Sequence, residues 1–512
     1  MSDVTIYLDG RRYSVDDGKN LLEVALSLGF DVPYFCWHPA MGSVGACRQC
    51  AVRVFWGDDD ETGDIAMSCM TPVREGLRAA IHDEEAVAFR RSIIELLMTN
   101  HPHDCPVCDE GGECHLQDMT VMTGHVYRRY RHRKRSWRNQ DLGPFVTHEM
   151  NRCIQCYRCV RFYGDYAGGD DLVAQGLRDA VYFGRLEDGP LESEFSGNLV
   201  EVCPVGVFDD KTLAARYTRK WDLQTTPSVC PHCARGCNVI LGERYGELRR
   251  VLNRYNREVN GYFICDRGRY GHQFVEGERR VRQVLTGPRE GAAHDAGAAV
   301  ERLAALVRGG ARVLGIGSPR ASLEANYALR RLVGAGRFHS GMADGERDLV
   351  ALAVGLHRDA GLHSPSTTEI ERADAVVVLG EDITATMPML AFAIRRGLRL
   401  RPTAEEAGLR IQRWNDAGVG QVKRQLPSVL WTATPAATKL DAIAAAALHA
   451  APQDIARAAL AVAHGLDKSA PRVTGLKGET AAWAKAVAKA LKGAARPLIV
   501  SGVSSGSADV LL

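Results

Sequence analysis

The feature that most restricts this chain is the placing of its cysteines: all 15 lie between Cys36 and Cys265, and several stand as C-x2-C pairs. Disulfide frameworks belong to small exported chains, whereas this one has 512 residues and starts without the basic, then apolar, run of an export signal. Thiols at such spacing read as metal ligands. Length and an apolar fraction of 46% allow three or four domains with cores of their own, covered by a charged fraction of 25%. A formal net charge of +2 removes general affinity for nucleic acid or a membrane surface as a leading idea. No apolar run is long enough to span a bilayer, so the expectation is a soluble cytoplasmic protein.

Four groups use every cysteine and leave none for ordinary packing. Cys36, Cys47, Cys50 and Cys69 resemble the plant-type [2Fe–2S] order, with two close cysteines, one before and one well after. Alternating Val4, Ile6 and Leu8, a turn at Asp9-Gly10, a strand through Tyr13 and Val15 and a helix from Asn20 to Leu28 predict a β-grasp ferredoxin domain. Gly42 and Gly45 are expected to let the backbone approach closely, so that its N–H groups reach the sulfurs. Val52, Val54 and Trp56 lead to an acidic tip at Asp58–Asp60.

The second group, His101, Cys105, Cys108 and Cys114, suits a [4Fe–4S] cluster held by three thiolates and one imidazole. The alternative is a structural zinc, with His103 or no histidine among the cluster ligands. The third group is more informative. Bacterial two-cluster ferredoxins repeat C-x2-C-x2-C-x3-C-P, each run's last cysteine serving the other run's cluster. Cys153, Cys156 and Cys159 supply three ligands, but Tyr163 stands where the fourth would be. The partner run survives only as Cys203-Pro204, its other positions falling on Ser193, Ser196 and Leu199. Crossed ligation then predicts one [4Fe–4S] cluster on Cys153, Cys156, Cys159 and Cys203, its twin lost. The fourth group, Cys230, Cys233, Cys237 and Cys265, fits either a third [4Fe–4S] cluster or a zinc ribbon by spacing, and its company favours the cluster.

From about Glu276 the chain turns Ala-, Leu- and Arg-rich. Strand signals at Val313–Gly317, Ala375–Gly380 and Pro497–Gly502, with helices over 321–332 and about 390–396, predict a parallel sheet covered by helices. Two further helices are expected at Ala442–Ala450 and Gln453–His464, the second started by Pro452 and ended by Gly465. Gly315-x-Gly317 lacks the third glycine of a dinucleotide loop, Arg320 standing there, so it reads as a close strand–helix turn and no NAD or flavin is expected. Between the second and third groups lie Arg128, Arg129, Arg131, Arg133, Lys134, Arg135 and Arg138, with Tyr130 and Trp137 among them. The favoured reading is compensation of cluster charge or contact with an acidic partner, the alternatives being a nucleic-acid footprint or a plain solvated loop.

The order of these motifs, with His101-Pro102-His103-Asp104-Cys105, Gly111-Gly112-Glu113-Cys114 and Cys203-Pro204-Val205-Gly206, resembles the family of the large iron–sulfur G subunit of NADH:quinone oxidoreductase, respiratory complex I. The first 220 residues also resemble iron-only hydrogenases and the diaphorase side of bidirectional hydrogenases. The tail is similar to the molybdopterin-binding fold of formate dehydrogenase. An active molybdenum or tungsten enzyme of that kind is the alternative reading. It is disfavoured because Asp266-Arg267-Gly268-Arg269 supplies no lysine after Cys265 and no later cysteine follows.

The resemblance implies a multidomain α+β then α/β chain. Its parts are a 2Fe–2S ferredoxin domain over 1–80, a 4Fe–4S domain with one histidine and three cysteine ligands over 81–120, a ferredoxin-like 4Fe–4S domain over 121–220, a Mo/W-oxidoreductase-type 4Fe–4S domain over 221–277, and a molybdopterin oxidoreductase-like α/β domain over 278–512 that looks incomplete. It further implies one [2Fe–2S] and three [4Fe–4S] clusters, no molybdopterin and no catalytic residue on this chain. The partners it implies are a flavin-bearing NADH-oxidising subunit, a small [2Fe–2S] subunit and a ferredoxin-like [4Fe–4S] subunit. The implied place is the peripheral arm, on the cytoplasmic side of the bacterial inner membrane, without nucleic acid and touching the membrane only through the complex.

Overall fold

Alternation at Val4, Ile6 and Leu8 makes strand β1 (Asp3–Leu8), and the Asp9-Gly10 turn, both residues at positive φ, folds β2 (Arg11–Asp16) back with Ile6 opposite Tyr13. Helix α1 (Leu21–Ser27) starts at a capping box, in which the Asn20 side chain accepts from Glu23 N–H and the Glu23 carboxylate accepts from Asn20 N–H. This computed structural model describes residues 3–57, 59–285, 293–401, 411–423 and 426–512. The acidic tip therefore begins at Asp58, outside the described residues. Strands β3 (Ala51–Phe55), β4 (Asp64–Met67) and β5 (Leu77–Ala80) complete a sheet ordered β2-β1-β5-β3-β4, with β1 and β5 parallel and other neighbours antiparallel. Ile6, Leu8, Val52 and Val54 share a buried core with Leu21, Leu22 and Val24, the β-grasp layout that the strand–strand–helix start predicts.

Helix α2 (Glu84–Met98), capped by Asp83, leads into the second cysteine group, and α3 (His115–Met122) leaves it. Residues 125–143 form no helix or strand. A hairpin of β6 (Val173–Gln175) and β7 (Tyr182–Gly184) follows the third group, and the fourth sits against an antiparallel sheet of β8 (Gln224–Val229), β9 (Asn238–Arg244) and β10 (Glu247–Asn253). All of this belongs to one compact unit, Met1–Tyr270, which also takes in Ser366–Asp374 and Ile383–Val429.

The second unit holds Gly271–Pro365, Ala375–Asp382 and Leu430–Leu512, so the region 278–512 is shared between the two. Its sheet is parallel throughout, with Ala446–His449, Leu430–Thr434, Ala375–Leu379 and Pro497–Ser501 side by side in that order. Helices Pro452–Leu466 and Gly478–Gly493 cover one face, Ile455, Ala458, Trp483 and Val487 joining Ala375, Val377 and Leu379 in a buried core. Gly315–Ile316 is a two-residue strand beside Phe338–His339, and a Cβ on Gly317 would fall 2.3 Å from Asn326 Oδ1 on helix Leu323–Val333. That is the close strand–helix approach expected of the glycine pair.

Two tail expectations are corrected. Ala442–Ala450 is no helix but a short turn, Asp441–Ile443, and then the edge strand Ala446–His449. Alanine's helix propensity is worth a few tenths of a kcal/mol per residue, and pairing beside Leu430–Thr434 overrides it. Gly465 does not stop its helix, which runs to Leu466; a Cβ at 465 would lie 2.7 Å from Ala488, so the glycine serves a close crossing of two helices. The helix placed at about 390–396 is longer, Pro388–Leu400, and lies in the first unit. Among the described residues no helix is long and apolar enough to cross a membrane.

Candidate metal centres

All fifteen cysteines are free thiols, and eleven of them are buried. In the first group Cys36 follows α1, Cys47 and Cys50 precede β3, and Cys69 sits in the single turn Ser68–Met70 after β4. The Cys36 N–H points at Cys47 Sγ (3.4 Å) and the Cys69 N–H at Cys50 Sγ (3.5 Å). Hydrogen bonds from the Cys47 and Cys69 sulfhydryls, then from backbone N–H groups, hold the Cys36 thiol far below its usual range, and the same contacts push Cys47 and Cys69 up. All four sulfurs are thus gathered. The glycines do something other than expected: at φ 67° Gly42 brings the backbone against Trp414, where a Cβ would meet the carbonyl at 2.4 Å, and Gly45 packs on Met70. Besides those of Cys36 and Cys69, the N–H groups directed at sulfur come from Ala46, Cys47 and Gln49.

In the second group His101, Cys105, Cys108 and Cys114 line one cavity of about 310 Å³, together with His103 and Leu116. His101 Nδ1 donates to the Arg152 carbonyl (3.0 Å), which leaves Nε2 as the free ring nitrogen. Burial lowers the imidazole to about 4, so it is neutral and ligand-ready at pH 7. His103 is shifted the same way by burial, to a smaller extent because it is less enclosed. Cys114 caps α3, and the Leu116 and Gln117 N–H groups of that helix start stabilise its thiolate against the burial that raises it to about 11. A Cβ on Gly206 would lie 2.5 Å from Cys108 Sγ, so the Cys203–Gly206 segment crosses directly over this group. The basic stretch lies against it too: Lys134 Nζ donates to the His101 carbonyl and Arg128 to that of Met98 (3.2 Å).

The third group is enclosed too, with Cys156, Cys159 and Cys203 buried. Burial pushes Cys153 up to about 12 and raises Cys156, Cys159 and Cys203, and the charges of the other three act on Cys159. Each sulfur has N–H partners: Gln155 for Cys153 (3.3 Å), Arg158 for Cys156, Val160 for Cys159, and Val205, Val207 and Phe208 for Cys203. Gln155 (φ 53°) and Tyr157 (φ 63°) adopt the left-handed region that turns those N–H groups inward. Where the lost twin would be, Tyr163 is fully buried, its hydroxyl donating to Asp171 (2.6 Å) and accepting from Ser193 N–H (3.1 Å). Ser196 bonds Asp266 and Leu199 is core. Hydrogen bonds and apolar packing thus engage the positions where a second run would carry its ligands.

In the fourth group Cys230 follows β8, Cys233 and Cys237 precede β9, and Cys265 precedes helix Asp266–Tyr270. Cys230 N–H donates to the Cys237 carbonyl (2.8 Å), and a Cβ on Gly268 would touch both Cys230 Sγ (3.5 Å) and Cys265 Sγ (3.7 Å). Burial raises Cys237 to about 12 and Cys265 to about 11, each under the charges of its neighbours. Arg269, near where formate dehydrogenases carry a lysine, pairs with Glu201 inside the core (2.5 Å) and so braces the fold.

Motif spacing did not reveal the arginines that lock these groups together. Arg152 holds His101 through its carbonyl, and Asp104 (2.8 Å) and the Gly206 carbonyl (3.1 Å) through its guanidinium. Arg161 donates to the Cys36 and Met41 carbonyls (2.8 Å each) and pairs with Asp416 (2.6 Å), which also meets Arg399 (2.6 Å) and the Tyr166 hydroxyl (3.0 Å). The available signal was three arginines in and beside one C-x2-C-x2-C run, at 152, 158 and 161. Soft thiolates with one imidazole, screened by N–H donors and mostly buried, Cys105 being exposed, form a donor set that fits iron–sulfur clusters.

Comparison with known proteins agrees. Residues 2–84 match the 2Fe-2S iron-sulfur cluster binding domain and 90–129 the NADH-ubiquinone oxidoreductase-G iron-sulfur binding region. Residues 143–209 match the ferredoxin-like domain of NADH-quinone oxidoreductase subunit 3, and 223–277 the molybdopterin oxidoreductase Fe4S4 domain. Among curated relatives, the NADH-quinone oxidoreductase G subunit of Pseudomonas fluorescens is 56% identical over 503 residues, covering 98% of this chain and 55% of that one. The corresponding G subunit of Pseudomonas putida is 55% identical over 500 residues (98% and 55%), and that of Escherichia coli 53% over 510 (99% and 56%). The chain spans about half the length of the curated relatives it matches, and over nearly all of its own length it is similar to the G subunits of NADH-quinone oxidoreductase.

Proposed function

We propose that this chain is an iron–sulfur electron-transfer subunit of an NADH:quinone oxidoreductase, relaying electrons from NADH and FMN on a partner subunit toward quinone. The observation that carries the reading is the sorting of fifteen free thiols and one neutral imidazole into four enclosed sites, with N–H groups directed at the sulfurs. Cys36, Cys47, Cys50 and Cys69 hold a [2Fe–2S] cluster. Three [4Fe–4S] clusters rest on His101, Cys105, Cys108 and Cys114, on Cys153, Cys156, Cys159 and Cys203, and on Cys230, Cys233, Cys237 and Cys265. Such clusters, when bound, accept and release single electrons with little rearrangement. The chain's own residues do the rest. Thiolates anchor, backbone N–H groups offset negative charge, the cores around Phe35 and Phe162 exclude water, and Arg152 and Arg161 hold neighbouring sites in register. No catalytic residue and no molybdopterin are assigned to it.

The partners in this reading are the flavin-bearing NADH-oxidising subunit, the small [2Fe–2S] subunit and the ferredoxin-like [4Fe–4S] subunit. The place is the peripheral arm on the cytoplasmic side of the inner membrane, and the exposed part of the basic stretch faces an acidic partner. Elemental analysis of the anaerobically reconstituted chain tests the assignment. About 14 iron atoms per chain are expected from these cluster types, without molybdenum, tungsten or zinc. Zinc filling the cysteine sites would refute the relay, and stoichiometric molybdenum or tungsten would make the chain an enzyme of the formate dehydrogenase kind.

A further inference from the structure

Of the buried arginines in and beside the third and fourth groups, Arg152 faces Asp104, Arg161 faces Asp416 and Arg269 faces Glu201. Arg158 is the exception. It is 9% exposed, its Nη1 reaches only the Phe35 carbonyl at 3.4 Å, and its Nε finds no acceptor among the described residues. Among those residues no carboxylate lies within ion-pair distance of it. A cation is not kept in a low-dielectric interior without compensation, because desolvation disfavours the charged form. The groups whose negative charge acts on Arg158 are Cys156 first, then Cys203 and Tyr34, and its backbone N–H already points at Cys156 Sγ. The Phe35 carbonyl that it holds belongs to the residue preceding Cys36. Arg158 therefore has its backbone N–H on the third site and its side chain on the backbone of the first.

We propose that Arg158 is a positioning residue: its guanidinium is the counter-charge of the cluster on Cys153, Cys156, Cys159 and Cys203 and holds that cluster's reduction potential up, while its bond to Phe35 fixes the Cys36 loop beside it. The proposal rests on the cluster assignment above. Four thiolates make such a site net negative, and reduction adds a further negative charge, so a fixed cation nearby stabilises the reduced form more than the oxidised one. In a water-poor site this effect is little screened by salt.

The experiment is an EPR-monitored redox titration of the full, cluster-reconstituted chain carrying Arg158→Gln or Arg158→Lys, with iron content measured in parallel. For Arg158→Gln the reduced-to-oxidised ratio of this cluster at a fixed potential should fall at least tenfold, about 59 mV for a one-electron couple, with iron content unchanged. Arg158→Lys keeps the charge and should keep the ratio close to the parent's. An unchanged ratio in Arg158→Gln, or equal falls in both variants, overturns the proposal. If Arg158→Gln loses this cluster, Arg158→Lys decides alone: a retained potential supports the counter-charge, and a tenfold fall with full iron overturns it. Absence of any [4Fe–4S] signal from the parent chain would instead overturn the underlying assignment.

Discussion

Asp416 offers a sharp test of what holds the first and third sites together. Its carboxylate, 3% exposed, accepts from Arg161 Nε (2.6 Å), Arg399 (2.6 Å) and the Tyr166 hydroxyl (3.0 Å), while its own N–H donates to the Ser43 carbonyl (3.1 Å). Arg161 in turn holds the carbonyls of Cys36, Met41 and Gly42. Asp416→Asn keeps the shape and removes the charge, leaving two guanidiniums facing each other in the core. Removing one partner of a buried ion pair costs about 3–5 kcal/mol, a large share of the 5–15 kcal/mol that typically holds a domain. The cost should appear locally, as faster hydrogen exchange at the Gly42 and Ser43 amides, which now donate to the His38 and Trp414 carbonyls. Converted through RT, it corresponds to roughly a hundredfold to a few thousandfold faster exchange. Adding Arg399→Met to Asp416→Asn removes one of the two facing guanidiniums, the one that also pairs with Asp165 (3.3 Å), and should recover part of the loss. Less than about tenfold acceleration in Asp416→Asn, or no recovery in the double variant, would refute the idea that this charge cluster clamps the Cys36–Ser43 loop.

Three further outcomes follow from the same geometry. Gly206→Val places carbon where Cys108 Sγ lies 2.5 Å away, so it should destabilise by about 1–3 kcal/mol and lower iron content at the His101 site, read by iron analysis and EPR. Tyr163→Phe strands the Ser193 N–H and takes one bond from Asp171, which keeps Arg185 and the Glu192 N–H, costing about 1–3 kcal/mol in urea unfolding while leaving iron content unchanged, because the tyrosine is not a ligand. Burial raises the Asp83 carboxyl but Arg53 and the Ala86 N–H together lower it more, so its folded value lies below the usual carboxylate range. Its stabilising effect is then present at neutral pH and lost as pH falls through that depressed value. Asp83→Asn, which can still cap α2, should flatten the fall in urea midpoint between about pH 5 and 3, and an unchanged slope would remove the charge from the explanation.

The β-grasp start was legible because strand alternation, an Asp-Gly turn and an Asn-x-x-Glu cap all act within a few residues of one another. The parallel sheet of the second unit was legible at Ala375–Leu379, where the apolar run is unbroken. Ala442–Ala450 was misread because alanine is nearly neutral about its partners: only the neighbouring strand Leu430–Thr434 makes Ala446–His449 a strand. Gly465 and Gly42 were misread for a related reason, since the contact each glycine permits lies on Ala488 in one case and Trp414 in the other, both remote in sequence.

Cysteine spacing by itself determined which thiols could share a metal, because ligation chemistry limits donor type and number and short loops limit reach. It also showed that Tyr163 interrupts a ferredoxin repeat. Only the tertiary structure decided that the Arg152 carbonyl locks the His101 tautomer and that Asp171 and Ser193 partner the buried Tyr163 hydroxyl. It alone decided that Arg161 ties Cys36 to Asp416 across a long stretch of chain. The physical reason is that a buried guanidinium or hydroxyl must find partners wherever the fold brings them, and those partners leave no periodic trace in the sequence.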